Sequence, residues 1–181
     1  CEHNHVYTLG KNGNNKNFLA DIKTQKKIGA SFHLTNRGGD ITYHGPEQIV
    51  GYPIIDLENF FTDLGKYMRG IEEVIIETLN EFSIKAERSA GETGVWIDTK
   101  NNPRKICAIG VKTSRWVTMH GFALNVNNDL SYFDHIVPCG ISNKKVTSMK
   151  NELNTDIDKS EVKRIIIKNF TKIFGMKFLV T

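Results

Sequence analysis

The chain has 181 residues, of which 39% are apolar and 24% charged, and its formal net charge is +4. This composition excludes a disordered or fibrous protein, and the length is that of one ordinary domain with a sizeable core. Basic and acidic residues are interspersed, so we expect no nucleic-acid binding; the weak positive field either favours an acidic partner protein or is merely solvated.

Cysteine usage and hydropathy limit the compartment. Cys1, Cys107 and Cys139 lie in unrelated contexts, which indicates a reducing compartment rather than a disulfide framework. No stretch approaches about 18 consecutive apolar residues and no leader precedes the first strand, so we expect a cytoplasmic protein that does not bind membranes. Because the chain begins with Cys1 instead of Met, we expect its N-terminus to be truncated.

The first third of the chain predicts short strands and loops. Residues 5–9 alternate and are rich in β-formers, residues 10–17 have turn chemistry, and a second strand is expected at residues 31–35. Residues 37–46 are dense in Gly, Pro and Asp and predict a shaped loop without regular structure. Residues 52–57 predict a buried strand.

A long helix follows, because apolar residues recur every three or four positions at Phe60, Leu64, Tyr67, Ile71, Ile75, Leu79 and Phe82. Its stripe is typical of core packing rather than of a functional face.

Residues 95–97, 105–111 and 116–126 then predict an antiparallel meander, with turns at residues 101–103 and 113–114. A last helix is expected between an Asp158 N-cap, supported by Glu161, and Gly175. Helices and strands are segregated, so we predict an α+β fold with mixed or antiparallel sheets and flanking helices.

Cys139 is the candidate nucleophile. Pro138 and Gly140 place its thiol at a defined bend, although a cysteine can also fall in a turn without a role. Cys107 lies in an apolar strand and is expected to be a buried small hydrophobe. A metal site formed by Cys107, His120 and Cys139 is disfavoured, since no close ligand pair is present.

A nucleophilic thiol needs a cation or base to favour its thiolate. Lys105 opens an apolar strand and can serve, unless it is simply a solvated charge; His44 and His120 are competing bases. The glycines after Arg37 leave backbone N–H groups free to hold a carbonyl oxygen or an anion, although such turns are common.

Three blocks in order resemble the octanoyl-[acyl carrier protein]-protein N-octanoyltransferases, also called lipoate-protein ligase B. Residues 37–48 match the family signature of RGG, then Thr, an aromatic residue and His, then a downstream Gln. Residues 94–110 and 120–140 match the next two blocks. Family members usually begin with a further strand and helix that this chain lacks.

This resemblance implies a single catalytic domain over residues 1–181, with the fold of biotin- and lipoate-protein ligases, in which Cys139 carries the acyl group and Lys105 is its partner. It implies an acyl-binding site formed by Arg37, Gly38, Gly39, Asp40, Ile41, Thr42, Tyr43, His44, Ala108, Ile109, Gly110, Gly121, Phe122 and Ala123.

The implied reaction moves an octanoyl or lipoyl group from acyl carrier protein to lysines of lipoyl domains, those of 2-oxoacid dehydrogenases and of the glycine cleavage H protein. We expect a monomer without ATP or metal. The alternatives are an ATP-dependent lipoate or biotin ligase on the same scaffold and a non-catalytic binding module. The first is disfavoured because a glycine-rich adenylate loop is not evident, and the second because Lys105, His44 and Cys139 are all present.

Overall fold

The computed structural model describes residues 1–137 and 145–177. Its strands are β1 Val6–Leu9, β2 Ser31–Leu34, β3 Ile41–His44, β4 Gln48–Gly51, β5 Val95–Ile97, β6 Arg104–Ser114, β7 Val117–Asn125 and β8 Lys145–Val146. Its helices are α1 Ile22–Ile28, α2 Leu64–Glu81, α3 Met149–Leu153 and α4 Lys159–Phe174.

The first three strands form a small mixed sheet in the order β2-β1-β3. Strand β1 is parallel to β2 and antiparallel to β3. Alternate side chains of β1 and β3 are buried and form a separate apolar cluster with residues that precede Cys139 in the chain. The buried members of this cluster are Tyr7, Leu9, Ile41, Tyr43 and Ile136.

The second sheet has the order β4-β7-β6-β5, and the short strand β8 pairs with β6. Strands β5, β6 and β7 are consecutive and antiparallel, so the predicted meander is confirmed. The β6–β7 turn lies at Arg115 and Trp116, which have positive φ angles. The turn predicted at residues 113–114 is therefore wrong: both residues extend the ladder, which ends with Ser114 opposite Val117.

Helices α2 and α4 cover this sheet. The predicted stripe of α2 is buried at Tyr67, Ile71, Ile75 and Leu79, so its reading as core packing is confirmed. Helix α4 begins after Asp158, which caps it by accepting from the Ser160 amide, and it ends at Gly175 in the left-handed conformation. Both predicted ends are confirmed.

Three points of the sequence prediction are wrong or incomplete. The loop predicted at residues 37–46 contains β3, because residues 41–44 alternate between buried and half-buried positions against β1. The buried strand lies at Gln48–Gly51 instead of residues 52–57, where Tyr52 and Ile54 are 46% and 61% exposed. Helices α1 and α3 were not predicted.

Together, the two sheets and the flanking helices confirm an α+β fold. Across residues 1–137 and 145–177, no helix combines the length and apolar character needed to cross a bilayer.

Candidate functional site

A cavity of about 830 Å³ opens between the two sheets. Strands β1, β2 and β3 supply one side, and β6 and β7 supply the other. A volume of this size is in the usual range for a site that holds a small organic ligand.

Most of the described residues that the sequence indicates as site residues line this cavity. They are Arg37, Gly39, Asp40, Ile41, Thr42, His44, Lys105, Ala108, Ile109, Gly110, Gly121, Phe122 and Ala123. Gly38 and Tyr43 do not line it: Gly38 donates its amide to the Val111 carbonyl at 3.0 Å, and Tyr43 is fully buried in the small sheet's core.

The Arg37–Gly39 turn packs directly on β6. A side chain at Gly110 would place its Cβ 2.8 Å from the Gly38 carbonyl oxygen, and Gly39 has a φ of +83°. Both positions therefore require glycine, the first for close approach and the second for its backbone conformation. Gly121 is equally constrained, since a Cβ there would lie 2.1 Å from the Gly51 carbonyl oxygen.

Arg37 is a buried cation that joins two elements of the cavity wall. Its Nη2 donates to the Thr8 carbonyl at 2.5 Å and to the Thr8 hydroxyl at 3.0 Å, and its Nη1 donates to the Gly38 carbonyl at 3.0 Å. The guanidinium is thus held rigidly at the cavity, where it supplies a fixed positive charge.

His44 is a neutral imidazole that is hydrogen-bonded to a series of buried amide side chains. The Gln48 Nε2 donates to the Tyr43 carbonyl and to Asn125 Oδ1, so Gln48 Oε1 accepts from His44 Nδ1 at 3.0 Å. This bond leaves His44 Nε2 as the acceptor. Burial lowers the pKa of His44 to about 4, with Arg37 and His3 acting in the same direction and the Gln48 hydrogen bond opposing them.

The other candidate base, His120, lines the same cavity. Its Nε2 lies 2.7 Å from Asn36 Oδ1. Burial lowers the pKa of His120, and the charges of Arg37 and Lys112 lower it further. At neutral pH both His44 and His120 are therefore uncharged.

Lys105 is partly buried and lies opposite Trp96 on β5. Its Nζ is 4.6 Å from the centre of a Trp96 ring, in a cation–π contact. Gly94, with a φ of +119°, passes beside the Lys105 stem, and its amide donates to the buried carboxylate of Glu72 at 3.0 Å. The Lys105 side chain is therefore held on the cavity wall rather than extended freely into solvent.

Cys139, the predicted nucleophile, lies outside the described residues. The described chain on both sides of it is held by backbone hydrogen bonds. The Val137 amide donates to the Asn17 carbonyl at 2.8 Å. After the gap, Val146 pairs with Lys105 in parallel register, and the next residue, Thr147, donates its amide to the Lys105 carbonyl at 2.9 Å.

Cys107 takes no part in the cavity. It is fully buried in the main core, and burial raises the pKa of its thiol, so its expected role as a small hydrophobe is confirmed. Within the described ranges, no group of three or more His, Cys, Asp or Glu residues is arranged to hold a metal ion.

The sequence did not indicate several residues that line the cavity, most of which lie outside the three motif blocks. Among them are Thr8, Ser31, His33, Thr35, Glu92 and Asn125. The alternation of polar residues at positions 31, 33 and 35 was the one available signal, since it is typical of side chains on one face of a strand.

Comparisons with known proteins agree with this architecture. The sequence profile of the lipoyl protein ligase A/B catalytic domain matches residues 1–171. Octanoyltransferases of Christiangramia forsetii and Flavobacterium psychrophilum are 59% and 60% identical over 175 residues, which cover 96% of this chain and 75% of each relative.

Solved structures show the same fold at low identity. A bi-partite lipoate protein ligase from Thermoplasma acidophilum has a TM-score of 0.70 and 16% identity, covering 98% of this chain and 71% of that one. A biotin protein ligase from Aquifex aeolicus has a TM-score of 0.56 and 16% identity, covering 71% and 53%. The expected ligase-like fold is confirmed. The chain belongs to the lipoyl protein ligase A/B catalytic domain family and, within it, to the octanoyltransferases, which are acyltransferases.

Proposed function

We propose that the protein transfers an octanoyl group from acyl carrier protein to a lysine of a lipoyl domain, through a thioester on Cys139. The observation that carries this proposal is the position of Lys105. It lines the cavity, it is held by Trp96, and its strand pairs with β8, where the described chain resumes after the Cys139 segment.

In the first step, the Cys139 thiolate attacks the thioester carbonyl of the donor. A carbon–sulfur bond to Cys139 forms, the bond to the phosphopantetheine sulfur breaks, and the released thiolate takes a proton. Lys105 favours the thiolate, either as a cation or by accepting the thiol proton. Exchange of one thioester for another is nearly balanced, so the proposal requires neither nucleotide nor metal.

In the second step, the amine of the acceptor lysine attacks the acyl-enzyme. An amide bond forms, the carbon–sulfur bond to Cys139 breaks, and the proton that the amine loses returns to the Cys139 and Lys105 pair. Formation of the stable amide makes the overall transfer favourable. The neutral His44, with Nε2 as its acceptor atom, is suited to this step because a positive imidazolium would repel an incoming ammonium group.

The cavity supports an acyl substrate. Ile41, Ala108, Ile109 and Phe122 give it apolar walls, and each buried methylene contributes about 0.8 kcal/mol.

Cys1 and Cys107 are free thiols, which supports a reducing compartment such as the cytoplasm for the reaction.

The test is transfer from purified octanoyl-acyl carrier protein to an unmodified lipoyl domain, followed by intact mass spectrometry. We expect an octanoylated domain without ATP. An octanoylated domain that appears only with octanoic acid and ATP would instead indicate a ligase that forms an acyl adenylate.

The role of Lys105 is tested by the pH dependence of Cys139 alkylation. Lys105→Met should shift the alkylation profile to higher pH, and Lys112→Met, on the same strand, should leave the profile in place. Coinciding profiles for the wild type and Lys105→Met would remove the activating role.

A further inference from the structure

One segment of the first sixth of the chain is rich in lysine and poor in acids. Residues 11–28 hold five of the 24 basic residues and one of the 20 acidic residues, so this segment carries +4 and the rest of the chain is neutral. The five are Lys11, Lys16, Lys23, Lys26 and Lys27. The expectation of evenly interspersed charges is therefore wrong for this segment, which we call the lysine segment.

The lysine segment presents its charge to solvent. All five lysines are exposed, and none forms an ion pair with any residue of the described ranges. The single acid, Asp21, caps α1 by accepting from the Thr24 amide at 2.7 Å. Leu19 and Ile22 are 57% and 72% exposed in the same segment. Apolar side chains with cations around them are the usual composition of a surface that binds an acidic protein.

The first part of this surface, residues 11–17, lies at the rim of the cavity. The Lys11 amide donates to the Arg37 carbonyl at 2.9 Å, and the Asn14 amide donates to Asp40 Oδ1 at 3.2 Å. The Asn17 carbonyl accepts from the Val137 amide, two residues before Cys139. Yet no residue from 10 to 29 lines the cavity. The lysine segment is fixed beside the reaction site without being part of it.

We propose that the lysine segment is the docking surface for the acyl donor, a small acidic acyl carrier protein. This inference rests on the proposed function and assigns its donor to one face. A surface at the rim suits a donor whose thioester is carried on a long phosphopantetheine arm, since the arm spans the distance from rim to cavity. An acceptor lysine has a short side chain, so its domain must cover the cavity mouth.

The test compares two triple variants with the same change in net charge. Lys23→Glu with Lys26→Glu and Lys27→Glu reverses the proposed surface. Lys85→Glu with Lys100→Glu and Lys172→Glu is the control, because these lysines are also exposed and form no ion pair with the described residues. Each protein is assayed with octanoyl-acyl carrier protein and with octanoyl-pantetheine, which has the arm without the protein.

The surface variant should raise KM for octanoyl-acyl carrier protein about tenfold, and less at high salt, while the control changes KM less than about twofold. Turnover of octanoyl-pantetheine should be the same in all three proteins. The proposal would be overturned if the two triple variants raised KM for octanoyl-acyl carrier protein equally. It would also be overturned if the surface variant lost as much activity with octanoyl-pantetheine as with the carrier protein. A rise in KM confined to the lipoyl domain would overturn it as well.

Direct binding separates this inference from the proposed chemistry. Fluorescence anisotropy with labelled octanoyl-acyl carrier protein is measured on the Cys139→Ala protein, with and without the surface substitutions. We expect Kd to rise about tenfold with them. An unchanged Kd would overturn the docking surface even if the acyl group is transferred. If the wild type transfers no acyl group but binds the carrier protein in a charge-dependent way, only the proposed chemistry is overturned.

Discussion

The ammonium nitrogen of Lys105 lies 4.6 Å from the centre of a Trp96 ring, across the pairing of β5 and β6. Trp96 is 2% exposed, so the ring itself is fixed by the core. The aromatic face therefore holds one end of a flexible side chain at the cavity wall, and the same strand pairs with Val146 beyond the Cys139 segment.

Replacing Trp96 should slow formation of the acyl-enzyme. A cation–π contact contributes about 0.5–2 kcal/mol, so we expect Trp96→Leu to lower the rate of Cys139 acylation about 2- to 30-fold. Trp96→Phe keeps an aromatic face and should fall between Leu and wild type. Rapid-quench acylation at saturating donor measures this, and equal rates for Leu and Phe would show that the ring acts only as core.

Glu72 is a buried acid that holds the wall beside Lys105. It is fully buried, it pairs with Arg69 at 2.6 Å and Arg88 at 3.0 Å, and it accepts from the Gly94 amide. We expect Glu72→Gln to lower the free energy of unfolding by about 2–3 kcal/mol. The neighbouring Glu73→Gln, which loses an exposed pair with Arg88, should cost less than about 1 kcal/mol. Urea unfolding of both variants decides; equal losses would contradict the account.

Gly94 combines a left-handed φ with a close contact. A Cβ there would lie 2.6 Å from the Cys107 carbonyl oxygen, at a φ of +119°. Gly91 also has a positive φ, of +76°, but a Cβ there meets nothing within 4 Å. Gly94→Ala should therefore cost about 3 kcal/mol and Gly91→Ala about 1 kcal/mol in calorimetric unfolding. A smaller cost at Gly94 than at Gly91 would show that the contact is not maintained.

His44 should make stability depend on pH. Its pKa falls from 6.5 in the unfolded chain to about 4 in the fold, so between these values the unfolded chain binds more protons. The contribution of His44 to the free energy of unfolding is complete above pH 6.5 and is lost as the pH falls toward 4. From pH 7 to pH 5 this group contributes a loss of about 2 kcal/mol, which His44→Gln should remove. Denaturant unfolding of both proteins at the two pH values measures the difference; equal pH dependence would contradict a buried neutral His44.

How much of the fold the sequence predicts depends on periodic burial. Helices α2 and α4 have buried stripes and clear caps, so the pattern predicts both. Helix α1 has no buried residue and depends on the Asp21 cap and on Gly29 in the left-handed conformation, so no apolar stripe indicates it. The buried strand was predicted at residues 52–57 instead of at β4, because the pattern of β4 includes a buried polar residue, Gln48, which bonds Asn125.

The candidate site shows the same division. Residues 37–44 and 105–123 lie in contiguous motifs, and the sequence indicates most of their contribution to the cavity. Thr8, Ser31 and His33 reach the cavity only because β1 and β2 pair in parallel across α1, a relationship between segments more than 20 residues apart. A local sequence pattern does not indicate which distant strands pair.

The central claim is that Cys139 carries the acyl group. Its most direct test is intact and peptide mass spectrometry after octanoyl-acyl carrier protein is mixed with wild type, Cys139→Ala and Cys107→Ala and quenched in acid. We predict one octanoyl adduct, on the peptide that contains Cys139, in the wild type and in Cys107→Ala, and no adduct in Cys139→Ala. An adduct of undiminished amount in Cys139→Ala would contradict the account.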